Sequence, residues 1–256
     1  MKAKEIIIKS TDGLCRTAVN GVLWWMYLSG ASIFQSPTTR GTYKIFTDAD
    51  KALNDFNYDS FKQIFLTLKQ KEYVKKTRTT QGWKLEITDS GLRHLEDRIL
   101  VYKEKRSWDG YLYLISYDIP EKYHYARDLL RKYLKKNSCA ILQESLWITP
   151  YNPTKMIEAF IKEKMPSVVL FISKMGKEGA IGYKNRKELI EEVFDLTKVN
   201  EKYKDLINEY KNRKISMYFA KSRFYSILSN DPQLPDKFLP KDWKGKEAYK
   251  EIIKGV

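Results

Sequence analysis

Ten polar or cationic side chains between positions 60 and 84 have the types and spacing of a DNA-binding surface. Apolar residues recur at the i, i+3, i+4, i+7 spacing of one helix face: Phe61, Ile64, Phe65 and Leu68. The opposite face carries hydroxyl, amide and ammonium groups, which can contact base edges and phosphates in the major groove. We expect DNA contacts from Ser60, Lys62, Gln63, Thr67, Lys69 and Gln70 on this helix and from Lys75, Lys76, Arg78 and Lys84 after it.

The last four of these cations belong to a predicted β-hairpin. Two β-rich runs, Tyr73–Thr77 and Trp83–Thr88, flank a Thr-Gln-Gly turn. The span from Lys69 to Lys84 holds six basic residues, and Glu72 is its only acid. Such cations can follow DNA phosphates, or they can form a solvated hairpin face without a partner. The presence of helix and hairpin together favours DNA binding.

The carboxylate of Asp118, at the end of a predicted strand over Tyr111–Asp118, is a second candidate for chemistry. It could bind Mg²⁺, but two-metal phosphodiester cleavage needs several oxygen ligands, and only a dimer would supply a second Asp118. The interpretation we favour is that Asp118 accepts N–H groups from the following helix. His124 and Asp128, spaced i, i+4, more often form a surface contact than a catalytic pair. We therefore predict a protein that is not an enzyme, with no catalytic residue, resident metal or cofactor.

The composition narrows the class of protein further. The 256 residues include 47 Lys and Arg against 32 Asp and Glu, a net charge of +15, which favours an anionic partner such as nucleic acid. An apolar fraction of 43% excludes wholesale disorder. Cys15 and Cys139 are the only cysteines, which excludes a disulfide framework and a Cys-based zinc cluster. With His94 and His124 as the only imidazoles, a His-rich metal site is excluded too.

The sequence also predicts where the protein resides. The most apolar stretch, residues 18–28, is much shorter than the roughly 20 residues of a membrane span. The apolar run at the N-terminus, residues 6–8, is too short for a secretory signal. We therefore expect a soluble cytoplasmic protein with no membrane partner.

Residues 1–105 have the element order of a DNA-binding domain. We predict a buried helix over 15–28, an irregular connection over 29–47, a short helix over Asp48–Phe56 and the polar-faced helix, with Asp59 as its N-cap. The hairpin follows, and Thr88-Asp-Ser-Gly opens another helix. This order, with Leu-Glu-Ile-Thr-Asp-Ser-Gly-Leu at 85–92, resembles winged helix-turn-helix regulators.

Residues 106–180 predict a β-α-β-β-α-β order, which is that of a ferredoxin-like plait. After the first strand, Pro120 opens a helix that Asn137 ends. The other predicted elements are strands Cys139–Gln143 and Ser145–Thr149, a helix to Lys164 and a strand over Val168–Ser173. Residues 181–256 predict helices and a proline-spaced segment that ends near Trp243. The fold class is therefore α+β, with a winged helix-turn-helix domain, a plait for dimerisation and a C-terminal helical domain.

Motifs in the second and third segments resemble the phenylacetic acid degradation repressor (PaaX) family. They are Tyr-Asp-Ile-Pro-Glu at 117–121, Ala-Arg-Asp-Leu-Leu-Arg at 126–131, Ser-Leu-Trp-Ile at 145–148, and Asp-Pro-Gln-Leu-Pro followed by Leu-Pro-Lys-Asp-Trp-Lys-Gly within 231–245. The resemblance implies a homodimeric, sequence-specific regulator of double-stranded DNA, a repressor that binds a palindromic operator and that an acyl-CoA-like effector releases. We identify no residue that would recognise the effector.

The central segment is also similar to the small CRISPR-adaptation nuclease family. In that family the Asp that closes the first strand binds a divalent metal, and dimers form across the plait. Asp118 is the matching residue. This second resemblance implies the alternative function, a metal-dependent nuclease that uses Mg²⁺ or a scaffold of an adaptation complex.

Overall fold

The computed structural model describes residues 18–29, 38–48, 57–79, 82–96, 100–165, 168–175, 185–215 and 217–255. They form helices and antiparallel strands, as the predicted α+β class requires. Within these ranges no helix is both long and apolar enough to cross a bilayer. The helices are α1 (Ala18–Ser29), α2 (Thr39–Asp48), α3 (Tyr58–Gln70), α4 (Asp89–Glu96), α5 (His124–Lys136), α6 (Thr154–Lys164), α7 (Arg186–Val193), α8 (Leu196–Lys211), α9 (Met217–Leu228) and α10 (Gly245–Ala248), which continues as a π-helical segment, Tyr249–Lys254. The strands are β1 (Val74–Thr79), β2 (Gly82–Ile87), β3 (Leu112–Tyr117), β4 (Ala140–Gln143), β5 (Leu146–Thr149) and β6 (Leu170–Met175).

The chain packs into two compact units. The first consists of Met1–Val101, Lys202–Ser229 and Lys244–Val256, and the second of Tyr102–Glu201 and Asn230–Trp243. Each unit therefore combines pieces that are distant in sequence. The division into three domains along the chain remains a prediction.

Helix α2 replaces part of the irregular connection predicted over 29–47, so that prediction is wrong for residues 39–47. The Thr38 hydroxyl caps the helix by accepting the Gly41 N–H at 3.0 Å. Phe46 is buried, with ring centroids 4.6 Å from Trp25 and 5.0 Å from Phe61. These ring contacts, which the local sequence does not reveal, stabilise a segment whose Gly, Ser and Pro content suggested a loop.

Two other predictions for the first unit have different outcomes. The buried helix expected over 15–28 is confirmed from Ala18 onwards, where its central residues pack tightly, and residues 15–17 lie outside the described residues. The short helix expected over Asp48–Phe56 also lies outside the described residues, except for Asp48, which ends α2.

The second unit is built on a four-stranded antiparallel sheet with the strand order β4-β5-β3-β6. Because side chains alternate along a strand, the sheet has two apolar faces. Ile115 and Trp147 belong to a core with residues of α5 and α6. Leu112 and Ile148 belong to another core, with α7 and the proline-spaced segment.

Two elements of the second unit have bounds that differ from the prediction by two residues or more. Helix α5 begins at His124, after a 3₁₀ turn over Glu121–Tyr123, rather than at Pro120. Strand β6 covers Leu170–Met175 instead of Val168–Ser173. Its pairing with β3, in which Leu170 lies opposite Tyr117 and Met175 opposite Leu112, decides where the strand begins and ends.

Candidate nucleic-acid interface

Helix α3 begins at a cap that the sequence interpretation placed two residues too late. Asn57 is the N-cap, and its side-chain oxygen accepts N–H groups from Asp59 at 2.7 Å and from Ser60 at 3.4 Å. Asp59 lies in the first turn, where its negative charge is favourable near the positive end of the helix dipole. The apolar residues Phe61, Ile64, Phe65 and Leu68 are buried, as their spacing predicted.

The outward face of α3 carries two adjacent stripes with different chemistry. Ser60, Gln63, Thr67 and Gln70 follow i, i+3, i+7, i+10 and form a neutral stripe of hydroxyl and amide groups. Lys62, Leu66 and Lys69 follow i, i+4, i+7 beside it and form a cationic stripe. All of these side chains are exposed except that of Thr67, which is half-buried. The neutral stripe has groups that can hydrogen-bond to base edges, while the two ammonium groups suit phosphates.

Details of three side chains refine the predicted contacts on α3. The Thr67 hydroxyl donates to the Gln63 carbonyl at 3.0 Å, so it is engaged by its own helix. The Lys69 ammonium lies 5.1 Å from the centre of the Phe65 ring. Leu66 is 43% exposed, and an apolar side chain in this position can contact a thymine methyl group. The predicted contacts did not include Leu66. Its position outside the apolar stripe of α3 indicated that this side chain would be exposed.

The chain turns from α3 into the hairpin through a tight helix end. The Glu72 N–H donates to the Lys69 carbonyl and the Tyr73 N–H to the Leu68 carbonyl, both at 2.9 Å, which is the bonding pattern of a Schellman motif. Glu72 occupies the left-handed position of this motif with φ of 55°, where glycine is usual. The hairpin cations therefore follow the last turn of α3 directly.

The hairpin positions four cations and one acid in a fixed register. Lys75 lies opposite Glu86, and Thr77 lies opposite Lys84. Lys75, Lys76 and Arg78 are exposed. The Lys75 ammonium is 4.0 Å from the Glu86 carboxylate, which also accepts the Thr77 hydroxyl at 3.0 Å. The count of charged residues from Lys69 to Lys84 did not include Glu86. Its carboxylate partly offsets the positive charge of Lys75, which is one of the predicted phosphate contacts. The tip of the hairpin, residues 80–81, lies outside the described residues.

The Thr-Asp-Ser-Gly sequence at 88–91 holds the base of the hairpin against α4. The Thr88 hydroxyl accepts the Gly91 N–H at 3.1 Å and donates to the Glu72 carbonyl at 2.5 Å. The Thr88 N–H donates to the Tyr73 carbonyl at 3.0 Å. A Cβ atom at Gly91 would lie 2.3 Å from the Tyr73 carbonyl oxygen, so only glycine allows this close approach.

His94, which had no assigned role, joins three elements at the base of the hairpin. Its Nε2 lies 2.8 Å from the Asn20 side-chain oxygen, and its Nδ1 lies 3.1 Å from the Tyr73 hydroxyl. Because the Asn20 oxygen can only accept, Nε2 carries a proton and donates to it, and both ring nitrogens are hydrogen-bonded. The ring also stacks on Tyr73 at 4.5 Å between centroids. His94 therefore links α1, α4 and the start of the hairpin.

The groups considered for catalysis lie on the surface of the second unit. Asp118, His124 and Asp128 are all exposed. The N-cap of α5, Tyr123, makes no side-chain hydrogen bond, and the interpretation that Asp118 accepts N–H groups from the following helix stays a prediction. No three His, Cys, Asp or Glu side chains within the described ranges form a group that could hold a metal ion. Burial raises the pKa of the Cys139 thiol to about 12, so this thiol stays protonated.

The residues around Asp118 that resemble the repressor family form a structural network. The Tyr117 hydroxyl oxygen accepts the buried Trp147 indole N–H and the Arg131 Nε–H, both at 3.3 Å. Arg131 also donates to the Glu144 carbonyl at 3.2 Å, and Arg127 donates to the Ile119 carbonyl at 2.7 Å. The motifs at 117–121, 126–131 and 145–148 therefore hold the sheet, α5 and the β4–β5 turn together.

The proline-spaced segment is fixed by a buried ion pair and by hydrogen bonds to its backbone. Arg106 Nη2 lies 3.7 Å from the Asp231 carboxylate, and both side chains are almost completely buried, at 1% and 0% exposed. Arg106 Nη1 donates to the Leu234 carbonyl at 3.1 Å, and the Tyr151 hydroxyl donates to the Gln233 carbonyl at 2.6 Å. Burial raises the pKa of Tyr151 to about 12, so its hydroxyl remains a neutral donor.

Two family models match this chain. Residues 105–189 match the central Cas2-like domain of PaaX proteins, and residues 194–254 match the C-terminal domain of PaaX-like proteins. These two domains suggest a transcription regulator. The chain belongs to the PaaX-like family, as its motifs predicted.

A similar solved structure is an uncharacterized protein, Rv0674, from Mycobacterium tuberculosis. It has a TM-score of 0.60 and 15% sequence identity, and the alignment covers 93% of this chain and 94% of that one. At this identity the likeness concerns the fold. No curated protein matches this chain.

Proposed function

We propose that this chain is a sequence-specific double-stranded DNA-binding transcription regulator of the repressor type. The observation that carries the proposal is the outward face of α3, with neutral and cationic stripes, followed directly by a hairpin that exposes three cations. In this proposal α1–α4 and β1–β2 form a winged helix-turn-helix, α3 enters the major groove, and the hairpin follows the phosphates. Membership of the PaaX-like family supports this function.

The proposal includes a homodimer formed through the second unit. The strand order β4-β5-β3-β6 around two helices supports a ferredoxin-like plait, in which β6 is an edge strand. Phe171 on β6 is 67% exposed and the adjacent Val169 is 65% exposed. A second copy of the chain that packs on this edge by two-fold symmetry would bury both side chains. A two-fold dimer would then bind a palindromic operator.

Replacing Phe171 by Asp is therefore expected to shift the dimer towards monomer. The substitution places a charge where two copies would exclude water, and sedimentation velocity should show a dissociation constant raised by about tenfold or more. Tyr125→Asp is the control, because Tyr125 is 76% exposed on α5 of the same unit and lies outside this edge. If both variants stay dimeric, the edge of β6 is not the dimer interface.

Selection of bound sequences from random DNA duplexes tests the proposed function itself. The wild-type chain should enrich a palindrome with half-sites about one helical turn, or a multiple of it, apart. Gln63→Ala should lose preference at one base of each half-site, by about 1–3 kcal/mol, while it still binds DNA. Asp118→Ala, in the other unit, should select the same palindrome as the wild type. Enrichment of no sequence would contradict the proposal.

The proposed regulator acts in the cytoplasm, without an enzymatic activity or a cofactor, and an acyl-CoA-like effector releases it from the operator. Membership of the PaaX-like family supports release by such an effector, but it does not identify the residues that would bind it. The nuclease alternative is not better supported, because among the described residues no three His, Cys, Asp or Glu side chains form a group that could hold a metal ion.

A further inference from the structure

A groove of about 790 Å³ lies between α6 and the edge strand β6 in the second unit. One face of α6 contributes residues at i, i+3, i+4, i+7 and i+8: Thr154, Ile157, Glu158, Ile161 and Lys162. Every second residue of the β6 region faces it: Val168, Leu170, Ile172 and Lys174. Its volume falls within the roughly 300–1,000 Å³ of small-molecule sites.

The groove has an apolar centre and cationic ends. Ile157, Ile161, Leu170 and Ile172 supply aliphatic surface, and all but Ile157 remain partly exposed. Strands β5 and β6 both run antiparallel to β3, so the helix that connects them runs opposite to β6. Lys162 therefore lies at the end near Val168, whereas Lys174 lies at the end near Thr154.

The two lysines are not equivalent. The Lys174 ammonium lies over the Tyr111 ring, 3.7 Å from its centre, and is thus already engaged. Lys162 is exposed, and its ammonium forms no ion pair with another described residue. Glu158, one turn earlier on the same face of α6, repels an anion placed deeper along the groove. An anionic group would therefore lie at the Lys162 end.

We propose that this groove binds a small amphipathic anion, with its apolar body on Ile161, Leu170 and Ile172 and its charged group on Lys162. Apolar side chains that remain partly exposed gain free energy when a ligand covers them. The net charge of +15 attracts anions in addition to the local lysine. The groove lies in the second unit, so ligand binding to it can be measured without DNA. This proposal therefore does not depend on the proposed function.

A pair of fluorescent probes tests the inference. 8-Anilinonaphthalene-1-sulfonate is an apolar anion, and N-phenyl-1-naphthylamine has the same rings without the sulfonate. The full chain should bind both probes and bind the sulfonate more tightly. Lys162→Glu should weaken sulfonate binding by about three- to tenfold and leave the neutral probe almost unchanged. Glu158→Trp, which fills the groove from the helix side, should weaken binding of the neutral probe, whose affinity does not depend on the charge that is lost.

Lys155→Glu provides the matched control, because Lys155 is exposed on the same helix, outside the groove, and the change in charge is identical. It should bind both probes like the wild type. Equal sulfonate binding by the Lys162→Glu and Lys155→Glu variants would overturn the proposal, as would unchanged binding of the neutral probe by Glu158→Trp. DNA binding is assayed on the same samples. A wild-type chain that binds no DNA would contradict the proposed regulator without changing the result for the groove.

Discussion

Simultaneous replacement of Lys75, Lys76 and Arg78 by Ala is expected to lower DNA affinity by about ten- to a hundredfold at physiological salt. The loss should be similar for specific and unrelated duplexes, because phosphate contacts carry no sequence information. All three side chains are exposed on the hairpin that follows α3. Fluorescence anisotropy with labelled duplexes measures the change.

The salt dependence of the same variant gives a second, sharper result. Each phosphate neutralised by a cation contributes about 0.9 to the slope of log affinity against log salt concentration, so three lost contacts would flatten it by about 2.7. The Lys75 ammonium lies 4.0 Å from the Glu86 carboxylate, which already offsets part of its charge. We therefore expect a flattening of about 2 rather than the full value.

Glu86→Gln tests this reasoning in the opposite direction. Glutamine keeps an oxygen that can accept the Thr77 hydroxyl, which bonds to Glu86 at 3.0 Å, but removes the negative charge beside Lys75. DNA affinity should therefore rise by about threefold, with a steeper salt slope. An affinity that stays the same would mean that Lys75 does not contact phosphate.

The control for the triple variant removes the same charge elsewhere. Lys132, Lys135 and Lys136 are exposed on α5, and their replacement by Ala also removes three positive charges. This control should change DNA affinity much less than the hairpin variant. If the two triple variants lose affinity equally, the total charge of the chain and not the hairpin determines binding.

Asp231→Ala is expected to destabilise the second unit by about 3–5 kcal/mol, which is the effect typical of breaking a buried ion pair from one side. The Arg106 guanidinium would remain 1% exposed without its counter-charge. Nη2 of Arg106 forms no hydrogen bond with the described residues, so the Asp231 charge, 3.7 Å away, is its compensation. Urea unfolding followed by circular dichroism should show a lower midpoint.

Two further variants separate the charge of Asp231 from its hydrogen bond. Asp231 Oδ1 accepts the Gln233 N–H at 2.7 Å, and Asp231→Asn keeps an oxygen for this bond while it removes the charge. Its loss of stability should approach that of Asp231→Ala if the charge dominates. Combining Arg106→Met with Asp231→Leu removes both charges and should recover part of the stability. A double variant less stable than Asp231→Ala would mean that the hydrogen bonds of Arg106, and not its charge, hold the segment.

The sequence predicted those elements whose patterns are local and periodic. The apolar stripe of α3 and its polar outer face follow from spacing within 13 residues, and the structure confirms the burial of all four apolar positions. The hairpin follows from two short β-rich runs, although its strands extend over Val74–Thr79 and Gly82–Ile87. Helix α2 could not be predicted from a local pattern, because Phe46 packs against Trp25 and Phe61, which are distant in sequence.

The sequence by itself determined the α+β class, the polar face of α3, the cationic hairpin and the motifs of the PaaX-like family, because each depends on residues close together in the chain. Only the tertiary structure decided what the motif residues do. Arg106 reaches the Leu234 carbonyl across 128 positions, and His94 reaches Asn20 across 74. Whether a buried charge or polar group is compensated depends on its distances to other groups in space. The same Asp or Lys can therefore bind a ligand or stabilise the fold, according to the neighbours that folding brings to it.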